Sequence, residues 1–106
     1  IEAYLTHIFL HFKKNQDHVT SLLFSKNDYF LRQLQKELEH HVYPMVAEDL
    51  KVSYPKIPAS YLKHFVVTNF IETLTWWLKK GKSYKEDQVV RFYLDVIEMK
   101  SEKKLL

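Results

Sequence analysis

The chain has 106 residues, the size of one domain, and 46% of them are hydrophobic, which is enough to bury a core. It has no cysteine and one glycine, which excludes disulfide frameworks, thiolate zinc sites, cysteine nucleophiles and glycine-rich phosphate loops. A net charge of +3 is too small to indicate nucleic-acid binding, whereas an aromatic share of 15% indicates a bulky core or a surface that needs a partner.

Helical spacing of apolar residues begins at the first residue. One helical face holds Ile1, Tyr4, Leu5, Ile8, Phe9 and Phe12. This stripe predicts a first helix that ends near Lys13 and Lys14, whose charges suit a helix C-terminus. Asn15 is a favourable capping residue, and we expect it to begin a short second helix that runs to about Phe24.

The next helix is predicted after a polar turn at residues 25–28, capped by Asn27 or Asp28. Its apolar stripe consists of Phe30, Leu31, Leu34, Leu38 and Val42. All three prolines of the chain fall within 44–58, so we expect an irregular segment there, with room for a turn of helix over 46–50.

Two longer helices are predicted to complete the chain. Proline suits the first position of a helix, so the penultimate helix is expected over 58–80, with Gly81 ending it. Ser83 and Glu86 have the spacing of a capping box for a last helix over 84–99. The chain beyond it is expected to fray.

Both of these helices are apolar over more of their circumference than the upstream helices can cover. We therefore predict an all-α bundle of about five helices, whose last two helices pair with those of a second copy in an intermolecular four-helix bundle. The alternative is a monomer with an exposed apolar surface. The residues predicted to form the dimer contact are Phe65, Asn69, Trp76, Val89, Phe92, Tyr93 and Val96.

Two stretches resemble a known family. FVVTNFIETLTWWLKKGKSYKEDQVVRFYLDVI over 65–97 is similar to the end of the regulatory domain of TetR-type repressors. IFLHFKKNQDHVTSLL over 8–23 resembles the first helices of that domain. The resemblance implies that 1–106 is a single effector-binding and dimerisation domain of a bacterial, cytoplasmic repressor. The DNA-binding helix-turn-helix of the family has no counterpart here and is expected upstream.

In that family the inducer pocket lies between the first helices and the long penultimate helix, so the resemblance implies a pocket for an apolar or aromatic effector. The candidate lining consists of Phe9, Phe12, Leu34, Leu38, His41, Val66, Phe70 and Trp77. Tyr4, Asn69 or His41 could supply the polar contacts that orient the effector. Ligand binding would change the spacing of two DNA-binding heads by a shift between conformations.

Other patterns give weaker signals. His7 and His11 share a helical face, and His18 could add a third ligand for a metal ion. Because spacing alone is weak evidence, we interpret these histidines as solvated side chains, and we expect no metal or cofactor. The lysines at 79, 80, 82 and 85 complement a helix end rather than indicate DNA contact. No catalytic motif or membrane span is present, so we expect no enzyme. The alternative function is a stand-alone helical module that binds another protein and no small molecule.

Overall fold

The computed structural model describes residues 1–25, 27–80 and 83–98. All regular structure in these ranges is helical, as predicted. The elements are α1 (Glu2–Lys14), α2 (Gln16–Phe24), α3 (Asp28–Glu37), a π-helical turn (Leu38–Val42), α4 (Tyr43–Ser53), α5 (Ala59–Lys79) and α6 (Glu86–Glu98). Since α3, the π turn and α4 form one continuous rod, the bundle has five rods among the described residues. None of the described helices is long and apolar enough to cross a membrane.

The first two helices begin and end close to their predicted residues, and α3 begins where it was predicted. Asn27 caps α3 as expected, because its side-chain oxygen accepts a hydrogen bond from the backbone N–H of Phe30 at 2.9 Å. Asn15 is the N-cap residue of α2, as predicted, but its side chain makes no capping bond to that helix. Its side-chain amide instead donates to the His11 carbonyl at 3.0 Å, because the last carbonyls of α1 lack partners in their own helix.

The irregular segment predicted over 44–58 is confined to its second half. Pro44 is the second residue of α4 but lies inside the continuous rod, where it cannot donate a backbone hydrogen bond. The π turn before it explains how the rod continues past a proline. There the N–H of Tyr43 donates to the Leu38 carbonyl, five residues back. This wider turn gives the Pro44 ring room beside the His40 carbonyl, with which it would clash in a regular helix.

The π turn also explains the apolar spacing of this rod. Buried residues recur every fourth position, at Leu34, Leu38, Val42, Val46 and Leu50. In a regular α-helix such a series drifts by about 40° at each step. The π turn takes up one extra residue and keeps both halves of the stripe on the same side of the rod.

The last two helices differ from prediction mainly at their starts. Pro58 is the residue before α5 rather than its first residue, and Gly81 lies outside the described residues, as does the chain beyond Glu98. The predicted capping box of Ser83 and Glu86 is wrong, because α6 begins at Glu86. Gln88 makes the corresponding bond, since its side-chain oxygen accepts from the N–H of Lys85 at 2.8 Å.

The core is built around aromatic contacts between α1, α5 and α6. The ring of Phe9 meets Phe70 edge to face, with centroids 5.1 Å apart, and stacks on Trp77 at 5.3 Å. Phe70 also meets the edge of Tyr93 at 5.6 Å. The Tyr93 hydroxyl donates to the Val66 carbonyl at 2.6 Å. These contacts fill the space between the first helix and the penultimate helix.

Ion pairs join α6 to both ends of α1. Arg91 pairs with Glu2, and the Lys13 ammonium lies 3.3 Å from the Glu86 carboxylate. Since the start of α1 meets the middle of α6 and its end meets the start of α6, the two helices run in opposite directions. Such exposed pairs add little stability, but their positions show how α1 is aligned along α6.

Candidate functional site

A groove of about 440 Å³ lies between α1 on one side and α3 with the π turn on the other. We call it the α1–α3 groove. Its apolar and aromatic lining consists of Tyr4, Ile8, Phe12, Leu34, Leu38 and Val42. The three residues from the rod are buried and form the floor, whereas the three from α1 are half-buried and form a wall. Since drug-sized ligands occupy clefts of about 300–1,000 Å³, the groove has the size of a ligand site.

The rim of the groove is polar. His7 and His11 project from α1, and Glu37 comes from the end of α3. All three side chains are exposed. His41 lies behind this rim, with its Nε2 atom 3.6 Å from the Glu37 carboxylate. A molecule in the groove would therefore meet apolar walls below and hydrogen-bonding groups at the mouth.

The structure divides the predicted ligand residues into two sets. Phe12, Leu34 and Leu38 line the groove. The second set is buried in the core; it consists of Phe9, Val66, Phe70 and Trp77. His41 is exposed and lies outside the described lining.

Several groove residues were not predicted as lining. Ile8 and Val42 had been placed on apolar stripes, and Tyr4 had been considered as a polar contact, but the groove brings them together. The pair His7 and His11 carried a usable signal, because residues four apart lie on one helical face. That face points toward α3 rather than toward a third metal ligand.

No group of three histidine or acidic side chains is close enough to hold a metal ion among the described residues. His18 lies at a separate polar surface near the start of α2. Of the lysines near the end of α5, Lys79 places its ammonium 5.4 Å from the centre of the Phe24 ring, and Lys82 is outside the described residues.

A second feature is an exposed aromatic surface shared by α5 and α6. Trp76 and Phe92 both contact Tyr84, with ring centroids 5.9 Å and 5.2 Å apart. Trp76 and Phe92 also line a hollow of about 460 Å³, together with Asn69 and Val96. We call this surface, together with Phe65, the aromatic face.

The predicted dimer residues fall partly on this face. Phe65, Trp76, Phe92 and Val96 are 36%, 41%, 42% and 63% exposed. Asn69 is half-buried, and its amide donates to the Phe65 carbonyl at 2.9 Å. Val89 and Tyr93 are instead buried within the subunit, and Tyr93 packs against Phe70 of α5.

The buried phenol of Tyr93 has a perturbed acidity. Burial raises the pKa of Tyr93, because the phenolate would lose its hydration. At the start of α6, a hydrogen bond from the backbone N–H of Glu86 lowers the pKa of its carboxyl, and the Lys13 ammonium adds to the effect. Both groups serve the packing of α6, and neither faces the α1–α3 groove.

Comparison with known proteins supports this architecture. A family model described as the C-terminal region of transcriptional regulators, of the TetR type, matches residues 1–99. Neither a curated protein nor a solved structure matched the chain. Because the family match covers nearly the whole chain and the fold is all-α, the chain belongs to the TetR-type transcriptional regulator C-terminal region family.

Proposed function

We propose that this chain is the effector-sensing and dimerisation domain of a bacterial, cytoplasmic TetR-type repressor. Its DNA contacts would be made by a helix-turn-helix domain that precedes this region. An apolar or aromatic effector would control the affinity for DNA. The family match supports a regulatory role in general, and the aromatic face supports the dimer.

The main support for the proposed dimer is that large aromatic side chains are exposed together on one surface. Trp76, Tyr84 and Phe92 form a chain of ring contacts, yet each is more than two-fifths exposed. Contiguous apolar surface of this kind marks an interaction site. Because α5 and α6 are long and lie side by side, two copies can bury it by symmetric pairing.

The contacts of α1 suggest how an effector would act on the dimer. One side of α1 forms a wall of the α1–α3 groove. Another side is joined to α6 through Arg91 and Glu86. A ligand that favours one position of α1 would therefore shift the population of α6 positions, and with it the arrangement of the two subunits.

Light scattering during size-exclusion chromatography tests the dimer directly. We expect a mass of twice 12.8 kDa at micromolar concentration. A monomer at that concentration would refute the dimer and favour the alternative, a helical module that binds a different protein. A gel shift with this chain should show only salt-sensitive, non-specific DNA binding, because it lacks a recognition helix; sequence-selective binding would contradict the proposed division of roles.

A further inference from the structure

We infer that the α1–α3 groove binds a small organic cation with an aromatic or apolar body. The inference rests on the proposed regulatory function, since it names the site and the chemical class of the effector. It differs from the expectation drawn from the family resemblance, which placed the effector between the first helices and the long penultimate helix.

Core side chains occupy that expected position in this structure. Phe9 fills the space between α1 and α5, because its ring is in contact with both Phe70 and Trp77 at 5.1 Å and 5.3 Å. All three side chains are buried. A ligand there would have to displace close-packed aromatic rings, whereas the groove on the other side of α1 is already open.

The shape of the groove suits a molecule with a flat apolar body. Its floor is formed by Leu34, Leu38 and Val42, all of them buried and aliphatic. Its wall carries the rings of Tyr4 and Phe12. An aromatic body placed between them would bury apolar area on both faces, which is the main source of affinity in such sites.

The charge at the rim of the groove determines which head group of a ligand is favoured. Of the described lining residues, Glu37 alone carries a formal charge when histidine is counted as neutral. No lysine or arginine is among them. The aromatic residues Tyr4 and Phe12 also line the groove, and aromatic faces attract cations. A protonated amine is therefore favoured over a carboxylate.

The π turn gives the groove a means of sensing its ligand. Leu38 and Val42 belong to both the groove floor and the π turn. π-Helical turns occur frequently at functional sites. A ligand that bridges α1 and this turn would hold the two elements at one spacing.

Three probes with the same ring system and different head groups test the inference. Naphthylethylamine, naphthylethanol and naphthylacetate are titrated into the isotopically labelled chain at about pH 8, where histidine is ordinarily neutral, and binding is followed by NMR. The amine should bind most tightly, with saturable shift changes at α1 and the π turn. Equal binding of all three probes would overturn the choice of a cation, and shift changes confined to the aromatic face would overturn the site.

Matched variants separate the charge from the apolar walls. Glu37→Gln should weaken binding of the amine roughly five-fold and leave the alcohol unchanged, because an exposed charge contributes about that much. Glu48→Gln, which removes an exposed carboxylate from α4 away from the groove, should change neither. Tyr4→Ala should weaken both ligands. An unchanged affinity of Glu37→Gln for the amine would refute the role of the carboxylate.

The oligomeric state of the same samples distinguishes failure of this inference from failure of the proposed function. A dimer that binds none of the three probes would refute the groove as an effector site and leave the dimer standing. A monomer that binds the amine at α1 and the π turn would support the groove and refute the dimer.

Discussion

Replacing Phe92 with glutamate is expected to separate the proposed dimer into folded monomers. The side chain lies on the aromatic face of α6, where its ring contacts Tyr84 at 5.2 Å. Since Phe92 is 42% exposed in the single subunit, a charge at this position can reach water once the partner is gone. The subunit should therefore keep its helical circular dichroism.

The size of the effect follows from the exposed area of that side chain. Phenylalanine presents about 200 Å², so burying the exposed part removes roughly 85 Å² in each subunit, worth about 2 kcal/mol at ~25 cal/mol per Å². Symmetry doubles the loss to about 4 kcal/mol, which corresponds to a roughly thousand-fold weaker dimer. Burying an unpaired carboxylate would weaken it further.

Sedimentation equilibrium over a wide concentration range measures this change. Tyr29→Glu is a matched control, because Tyr29 is an aromatic residue that is 69% exposed on α3, away from the aromatic face. The control should dimerise like the parent. A folded Phe92→Glu protein with the parent's dissociation constant would show that the dimer uses another surface. If the variant unfolded at every concentration, Trp76→Glu would provide the same test from α5.

Three further substitutions test the folding contacts. The pKa of Glu86 lies below its ordinary value of 4.5 because of its backbone hydrogen bond and then Lys13, so the carboxylate stabilises the fold at neutral pH and this contribution fades on acidification. Glu86→Gln should therefore lower the free energy of unfolding in urea at about pH 7 but not at about pH 3; an equal loss at both would contradict this. Burial raises the pKa of Tyr93, so the fold should lose stability above about pH 10, where an unfolded tyrosine ionises. Tyr93→Phe should reduce that alkaline loss and cost about 1 kcal/mol at neutral pH, through the lost hydrogen bond to Val66; an unchanged alkaline profile would count against it. Asn27→Ala should cost about 1 kcal/mol in thermal unfolding, because it removes the cap of α3, and no loss would mean that another group replaces the cap.

Helix ends that are set by residues within one turn could be predicted from the sequence. Asn27 is an example, since its capping bond depends only on residues within one turn. Pro44 shows the limit of such reasoning. A proline normally ends a helix, but the packing of the buried stripe from Leu34 to Leu50 keeps the rod continuous. The apolar residues at every fourth position were the signal for a π turn, because a regular α-helix does not keep such a series on one side.

The candidate site could be predicted only in part, because helical spacing gives the direction of a side chain and not its depth. Phe9 and Phe12 lie on the same stripe of α1, yet Phe9 is buried against Phe70 and Phe12 lines the groove. Val89 was expected at the dimer contact from its position on the helix, although it is buried within the subunit. Only the packing of α1 between α6 and α3 separates these cases.

The π turn makes residues 38–42 the one place in the rod where the length of the chain could change without disturbing what lies beyond. Elsewhere in a helix, deleting one residue rotates every later side chain by about 100° and would turn Val46 and Leu50 away from the core. The π turn already holds one residue more than a regular turn. Deleting that residue would restore a regular helix, and the side chains on either side of the turn would keep their directions. Pro44 would then press on the carbonyl four residues before it. The proline and the additional residue are thus coupled, and a shortened rod would require replacement of the proline as well.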